Sequence, residues 1–324
     1  MPKVSVIIPV YSVEPYIAKC ARSLFTQTLD DIEYLFINDC TPDKSIAVIQ
    51  KILAEEFPHR KSHVKIINMM QNSGQAKVRE TGIRHATGDF IINCDSDDWV
   101  EKDAYEKMYN CAIRNSAEMV FCDYYDTNGT VSFKKIQRAS WDNKELLLGE
   151  FIRGSVKGSL CTVMVKKALF NNPIFTFPKG DMIEDVTMIV QLLYFSNVIV
   201  HLNEHLYYYY SNSCSITHTI TKYMCRKRYQ DSVENTLLIE SFLHKTGIRC
   251  KYKKDITLRK IDAMSQLNPC LQDMDYLKLW RHTFNGLTED IVSHTEKKII
   301  IKYLLTYIGL YPIWHKLRGY KFAN

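Results

Sequence analysis

Long apolar runs are missing from this chain. No stretch approaches the roughly eighteen uncharged apolar residues of a membrane-spanning helix, so no such helix is expected. The first apolar run is only strand-length and carries Pro9, which argues against a secretory h-region. Cysteine pairs at C-x-x-C spacing are absent too. The ten cysteines lie scattered, which disfavours a zinc site or a disulfide framework. Reduced, mostly buried thiols and a cytoplasmic setting are the expectation. Glycine is scarce, at 12 residues, and no G-x-x-x-x-G-K-[ST] occurs, so a P-loop is excluded. Val10-Tyr11-Ser12-Val13 follows the first apolar run. It is not the glycine- and lysine-rich phosphate loop of a nucleotidyltransferase. There is no internal repeat or low-complexity tract. The formal net charge of +6 is too modest to call for a nucleic-acid partner. The basic residues gather late, at Arg226-Lys227-Arg228, Lys251 to Lys254, Lys297-Lys298 and Lys316 to Lys321. Such runs suit solvated helix faces, anionic lipid or acidic partners.

What is present is sharper. Gly88-Asp89-Phe90-Ile91-Ile92-Asn93-Cys94 leads directly into Asp95-Ser96-Asp97-Asp98. An apolar, strand-like run thus ends in three carboxylates within four positions. Carboxylates this close repel one another unless a positive charge sits between them. Oxygen donors at a strand end suit Mg²⁺ or Mn²⁺. The alternative is an acidic turn capping a helix that begins near Glu101.

Three more runs read as strands: Val4 to Tyr11, Glu33 to Asn38, and Val64 to Asn68. Each pair of runs brackets a segment of helical period. This alternation predicts an α/β fold with a mostly parallel, Rossmann-like sheet flanked by helices. Polar residues stand at each carboxyl end: Tyr11, Asp39, Asn72 with Ser73, and Asp95 to Asp98. Ligands bind at that edge of open α/β sheets. Beyond residue 217 the apolar spacing predicts helices over Tyr223 to Lys245 and Lys254 to Leu267, and another between Glu296 and Ile308. The expected division is therefore 1–217 and a helical 218–324. The segment Ile299 to Tyr320 mixes Ile, Leu, Tyr and Trp with basic residues. It suits a helix docked on its own domain or an interfacial membrane contact.

Ile8-Pro9-Val10-Tyr11 with Glu14 and Tyr16, Asn38-Asp39-Cys40-Thr41, Asn72-Ser73-Gly74 with Arg79 and Gly82, and Gly88-Asp89 running to Asp95-Ser96-Asp97-Asp98 resemble the family 2 glycosyltransferases of GT-A fold. The resemblance is dense over residues 1–125. It thins toward 217, through Ile183-Glu184-Asp185-Val186 and Tyr207-Tyr208-Tyr209-Tyr210. It implies a metal-dependent, inverting hexosyl- or N-acetylhexosaminyltransferase. The donor would be a nucleotide-diphosphate sugar, UDP-linked by expectation. The acceptor would be a hydroxyl of a glycan or a lipid-linked glycan, at the inner face of the cell membrane. A non-catalytic nucleotide-sugar or glycan-binding protein on the same fold is the alternative. Oligomeric state is not implied.

Carried onto this chain, the resemblance makes Asp97 the first metal ligand. Asp95 faces the ribose, or the metal through water. Asp98 positions the sugar or caps the next helix. Asp39 reads the base edge or closes an Asx turn before Pro42. Pro9, Tyr11 and Glu14 frame the base, and Asn72 and Gly74 line the donor loop. Arg79 pairs with phosphate or with the acids, although Glu80 stands beside it where the family carries an amide. Asp185 is the base that takes the acceptor proton, with Glu184 orienting the acceptor or a cation; the reverse assignment is open. Tyr210 stands where an arginine is usual, and Lys222 is a candidate substitute. His205 and His218 are candidates to complete a metal shell.

Overall fold

The structure is a computed structural model, and it describes residues 2–211, 221–284 and 286–310. The chain forms two compact units. The first takes Met1–Leu147, Val156–Phe177 and Gln191–Asn212. The second takes Leu148–Ser155, Pro178–Val190 and Ser213–Asn324. The helical region anticipated after residue 217 therefore belongs with two earlier segments, one of which carries Glu184 and Asp185.

The first unit opens with the alternation that its sequence predicts. Strand β1 (Val4–Val10), helix α1 (Ile17–Phe25), β2 (Ile32–Asn38), α2 (Ser45–Glu55), β3 (Val64–Asn68), α3 (Gln75–His85) and β4 (Phe90–Asn93) follow one another. β1, β2 and β4 are built from Val, Ile, Leu and aromatic residues that are almost wholly buried. Such continuous apolar strands suit a sheet covered on both faces. α1 lays Ile17, Cys20, Ala21, Leu24 and Phe25 into that core. Gly82 of α3 shows why a side chain is excluded there. A Cβ at that position would come within 2.4 Å of the Ile7 side chain.

After β4 come β5 (Trp99–Val100), α4 (Ala104–Asn115), β6 (Met119–Thr127), β7 (Ser132–Lys135), α5 (Lys144–Arg153), β8 (Val163–Lys166), α6 (Glu184–Phe195) and β9 (Ile199–Tyr210). The described strands make one sheet in the order β3-β2-β1-β4-β8-β6-β9-β5, with β7 on β6. Pairing is parallel through β3-β2-β1-β4 and between β6 and β9. It is antiparallel at β4–β8, β8–β6, β6–β7 and β9–β5. The sheet is thus parallel where it was legible as β-α-β and mixed beyond. β8 and β5, of four and two residues, are too short to leave a pattern.

Two consequences position the site. The parallel register aligns Val10 with Asn38, and Asn38 with Asn68, so the loops after β1, β2 and β3 leave from one edge. β4 ends beside Ile7, and β1 is flanked by β2 on one side and β4 on the other. Strand order reverses there, which is where open α/β sheets take ligands. The chain then crosses Asp95–Asp98 and returns as β5, pinned antiparallel to Tyr207 and Tyr208 of β9.

The second unit is helical in its late part: α7 (Lys222–Lys245), α8 (Lys253–Ser265), α9 (Met274–Arg281), α10 (Leu287–His294) and α11 (Lys297–Tyr307). α7, α8 and α11 match the predicted helices closely. α9 and α10, of eight residues each, were not anticipated. Tyr229, Met264, Leu267, Leu277, Trp280, Ile291 and Tyr303 contribute to a core of its own.

Candidate active site

The edge of the parallel strands is built by loops that hold one another. After β1 the chain turns through Ser12, a non-glycine residue at φ 53°. Its N–H donates to Thr41 Oγ1 at 2.8 Å, and the Glu14 N–H donates to Asp43 Oδ2 at 2.9 Å. Glu14 answers by accepting the Lys44 N–H at 2.9 Å. Burial opposes ionisation of Asp43, but bonds from Ser45, Thr41 and the Glu14 N–H outweigh it and hold its pKa at about 2. Glu14 therefore sits in a clip between the loops after β1 and β2. Beside it, Pro9 is partly buried and Tyr11 is 48% exposed.

Asp39 is buried, yet it does not close its own turn. Asn38 does that, accepting the Thr41 N–H at 2.9 Å. The Asp39 carboxylate reaches across to the next loop instead. It takes the Ser73 N–H at 2.8 Å and the Gly74 N–H at 3.1 Å. Gly74, at φ 82°, starts α3 in a conformation that favours glycine. Cys40, next to Asp39, also takes a positive φ of 54°. Residues held outside the common φ/ψ regions cluster where a fold is over-determined around a site. Asn72 is exposed at the lip of this loop.

The acids divide by environment. Asp95 is partly exposed and accepts Arg79 Nη2 at 2.8 Å and Gln75 Nε2 at 3.2 Å. Arg79 is the largest fully buried side chain of the chain's described part. Of its two expected roles, the structure displays the pairing with the acids. Glu80 lies in a separate surface network with Lys77 and Arg84, at 2.9 and 2.8 Å. Asp97 is partly exposed. Asp98 is only 2% exposed. Its Oδ1 accepts the Tyr210 N–H at 2.7 Å, and its Oδ2 accepts the Tyr207 hydroxyl. The same hydroxyl accepts the Asp95 N–H at 3.2 Å. Burial, then the charges of Asp95 and Asp97, push the Asp98 carboxyl well above the usual carboxylate range, against the two bonds. Asp98 thus ties the acidic loop to β9, while Asp95 and Asp97 are partly exposed.

Tyr207 and Gln75 were not predicted. Tyr207 belonged to a legible tyrosine run, but only its pairing beside β5 shows which ring meets the acids. Tyr208 stacks between Trp99 and Tyr125, at 5.3 and 4.5 Å. His205 leans on Tyr125, and its Nε2 is buried without a hydrogen-bond partner. Ser215-Ile216-Thr217 and His218 lie outside the described residues. Among those described, no group of three or more His, Cys, Asp and Glu side chains is arranged to hold an ion. The donor chemistry nonetheless fits a hard divalent cation. Mg²⁺ is commonly held by one or two carboxylates, with substrate phosphates and water completing the shell. Asp95 and Asp97 are two partly exposed carboxylates of that kind.

Within the second unit, Glu184 and Asp185 open α6. Glu184 is buried and Asp185 partly so. Ile183, just before them, has φ 57°; for a β-branched residue this is a genuine outlier. α7 holds the turn in place. Asn235 Nδ2 donates to the Gly180 and Met182 carbonyls, each at 2.8 Å. Lys227 bridges Asp181 and Asp231 at 3.1 and 2.9 Å. Lys222, the candidate substitute for an arginine at 210, is engaged with Asp273 at 3.1 Å.

A mixed α/β sheet with a loop-built, acid-bearing edge is the architecture of a GT-A fold. The model of glycosyl transferase family 2 matches residues 5–174, and the chain belongs to that family: it is a glycosyltransferase. EpsH of Bacillus subtilis (strain 168) is 28% identical over 262 residues, spanning 79% of this chain and 73% of EpsH. Among solved structures, S. aureus TarS 1–349 in complex with UDP superposes with a TM-score of 0.72 at 18% identity, covering 98% of this chain and 92% of that one. The mannosyltransferase PcManGT of Pyrobaculum calidifontis, in complex with GDP-Man and Mn²⁺, gives 0.52 at 12% identity, covering 99% and 88%.

Tyr207→Phe tests the internal role of Asp98. It leaves a buried acceptor unpaired, which costs about 1–3 kcal/mol. Denaturant unfolding should show a loss of that size, together with reduced turnover. Unchanged stability would mean that the acidic loop does not depend on β9.

Proposed function

We propose that the protein is a metal-dependent, inverting glycosyltransferase that uses a UDP-linked sugar. The observation that carries this reading is the split among the acids: Asp98 faces inward, while Asp95 and Asp97 stand partly open beside the Asp39 loop. Asp97 is the principal metal ligand. Asp95, steered by Arg79 and Gln75, faces the ribose or the metal's water shell. A bound Mn²⁺ or Mg²⁺ supplies Lewis-acid stabilisation of charge on the departing diphosphate. The Mn²⁺ of the PcManGT complex supports a divalent ion, and the UDP of the TarS complex supports the base.

Asp39 still has lone pairs beyond its two backbone bonds, enough to accept the imide N–H of a uracil. Tyr11 and Pro9 frame the ring. Glu14 acts by holding the loop, and Asn72 and Gly74 line the donor side. Transfer then needs a base for the acceptor hydroxyl, and Asp185 is that base. Glu184 orients the acceptor. The acceptor is a glycan or lipid-linked glycan, and the setting is cytoplasmic with a peripheral membrane contact. Among the described residues no helix is long and apolar enough to cross a membrane. α11 instead exposes Ile301 and Leu304, with exposed Ile308 just past its end, near exposed Lys297, Lys298 and Lys302. That combination suits an anionic interface.

Asp97→Asn should abolish transfer while the melting temperature holds, and chelator should do the same to the wild type, reversibly on re-addition of Mn²⁺. Full activity in excess chelator would sink the metal assignment. Asp185→Asn should lower kcat on the order of 10²-fold or more with donor affinity unchanged. If turnover survives in Asp185→Asn but is lost in Glu184→Gln, the two roles exchange. Removing residues 296–324 should leave UDP binding intact and reduce sedimentation with anionic liposomes; equal sedimentation would refute the membrane contact.

A further inference from the structure

Lys157 lies between α5 and β8, in the first unit. Its side chain is exposed, and its ammonium rests against two rings. It stands 3.8 Å from the centroid of the Tyr209 ring and 5.0 Å from that of Tyr124. Tyr209 follows Tyr207 by two residues on β9, so the two rings fall on one face of the sheet. That face carries the Tyr207 hydroxyl that holds Asp98. Tyr124 is the register partner of Tyr207 on β6. The three rings therefore lead from Lys157 to the acidic loop.

The electrostatics agree with this placement. Burial, and then the charges of Asp98, Asp95 and Asp97, push the Tyr209 phenol up to about 12. Burial against protein atoms lowers the Lys157 pKa, even though much of the residue is exposed, while Asp126 and Asp98 pull the other way. Lys157 is thus a cation within the field of the site, resting on rings. The other candidates nearby are differently placed. Arg79 is bonded to Asp95, and Lys19 lies 3.0 Å over Trp99. A ring face holds an ammonium weakly at an exposed site. A phosphate oxygen, through a charge-assisted bond, holds it more strongly.

We propose that Lys157 contacts the donor, its ammonium moving from the Tyr209 ring onto the diphosphate of the nucleotide sugar. This rests on the nucleotide-sugar reading above. In the transfer, the bond from the anomeric carbon to the diphosphate oxygen breaks, and its electron pair leaves on that oxygen. The acceptor oxygen forms the new bond and gives its proton to the base. Lys157 meets the charge that the departing diphosphate acquires, so it serves both donor binding and the chemical step.

The test uses the full chain, Mg²⁺, and calorimetric titration with UDP and with uridine. Lys157→Met keeps the aliphatic packing and removes the charge. It should weaken UDP binding about tenfold or more, leave uridine binding unchanged and lower kcat, while Lys157→Arg restores most of both. If Lys157→Met binds UDP as the wild type does, the proposal falls and the donor reading stands. Equal losses for UDP and uridine would show a merely structural residue and also overturn it. A wild type that binds no UDP would remove the donor reading, and the role of Lys157 with it.

Discussion

The site depends on one buried carboxyl. Asp98 receives the Tyr207 hydroxyl and the Tyr210 N–H, and through Tyr207 it also reaches the backbone of Asp95. These bonds fasten a short loop to a strand more than a hundred residues later in the chain. Without them, the turn after β4 would be an exposed acidic loop on a two-residue strand, and three like charges would favour opening it. With them, one acid is sequestered and its neighbours keep fixed places. Burial, and then the charges of Asp95 and Asp97, raise the Asp98 pKa; the fold tolerates the buried carboxyl because both oxygens are hydrogen-bonded.

The same logic recurs around the edge. Asp39 is spent partly on two backbone N–H groups of the β3–α3 loop. Asp43 and Glu14 join the loops after β1 and β2. Side chains that look like ligand contacts in isolation also hold the backbone that presents other contacts. A carboxylate has lone pairs for both tasks, which is why acids predominate here. Among the described residues, three of the four non-glycine positions at positive φ, Ser12, Cys40 and Ile183, directly follow or precede proposed site residues. Strain of this kind persists only where surrounding bonds over-determine the backbone.

The part of this organisation that is local in sequence was legible before the structure. β1 to β4 announce themselves by apolar runs, which in β1, β2 and β4 are almost wholly buried, and parallel pairing then forces their polar termini to one edge. The family resemblance set Arg79 beside phosphate or the acids, and the structure shows its bond to Asp95. Other features were not legible because their causes are distant. Tyr207 and Asp98 are separated by 109 residues, and a run of four tyrosines does not say which ring turns inward. The Asx turn at Asn38 displaced the local role open to Asp39. The antiparallel strands are short or aromatic, without the alternation that would mark them. The late helices α7, α8 and α11 followed from apolar spacing, while α9 and α10 are too brief to show a period.

Charge balance joins these observations. Three carboxylates converge where the strand order reverses, and a nucleotide diphosphate would bring further negative charge to the same place. The buried Arg79 offsets part of it and is bonded to Asp95. Burial of Asp98 removes another part by favouring its protonated form. The remainder would fall on a divalent cation, held as proposed by Asp95 and Asp97, and on whatever basic group can approach from the β9 side. The chain places a lysine there on a tyrosine ring, not in an ion pair that would have to be broken. A weakly held cation beside a deficit of positive charge is free to follow the ligand, so the edge can be stable when empty and still become complementary to an anion when filled.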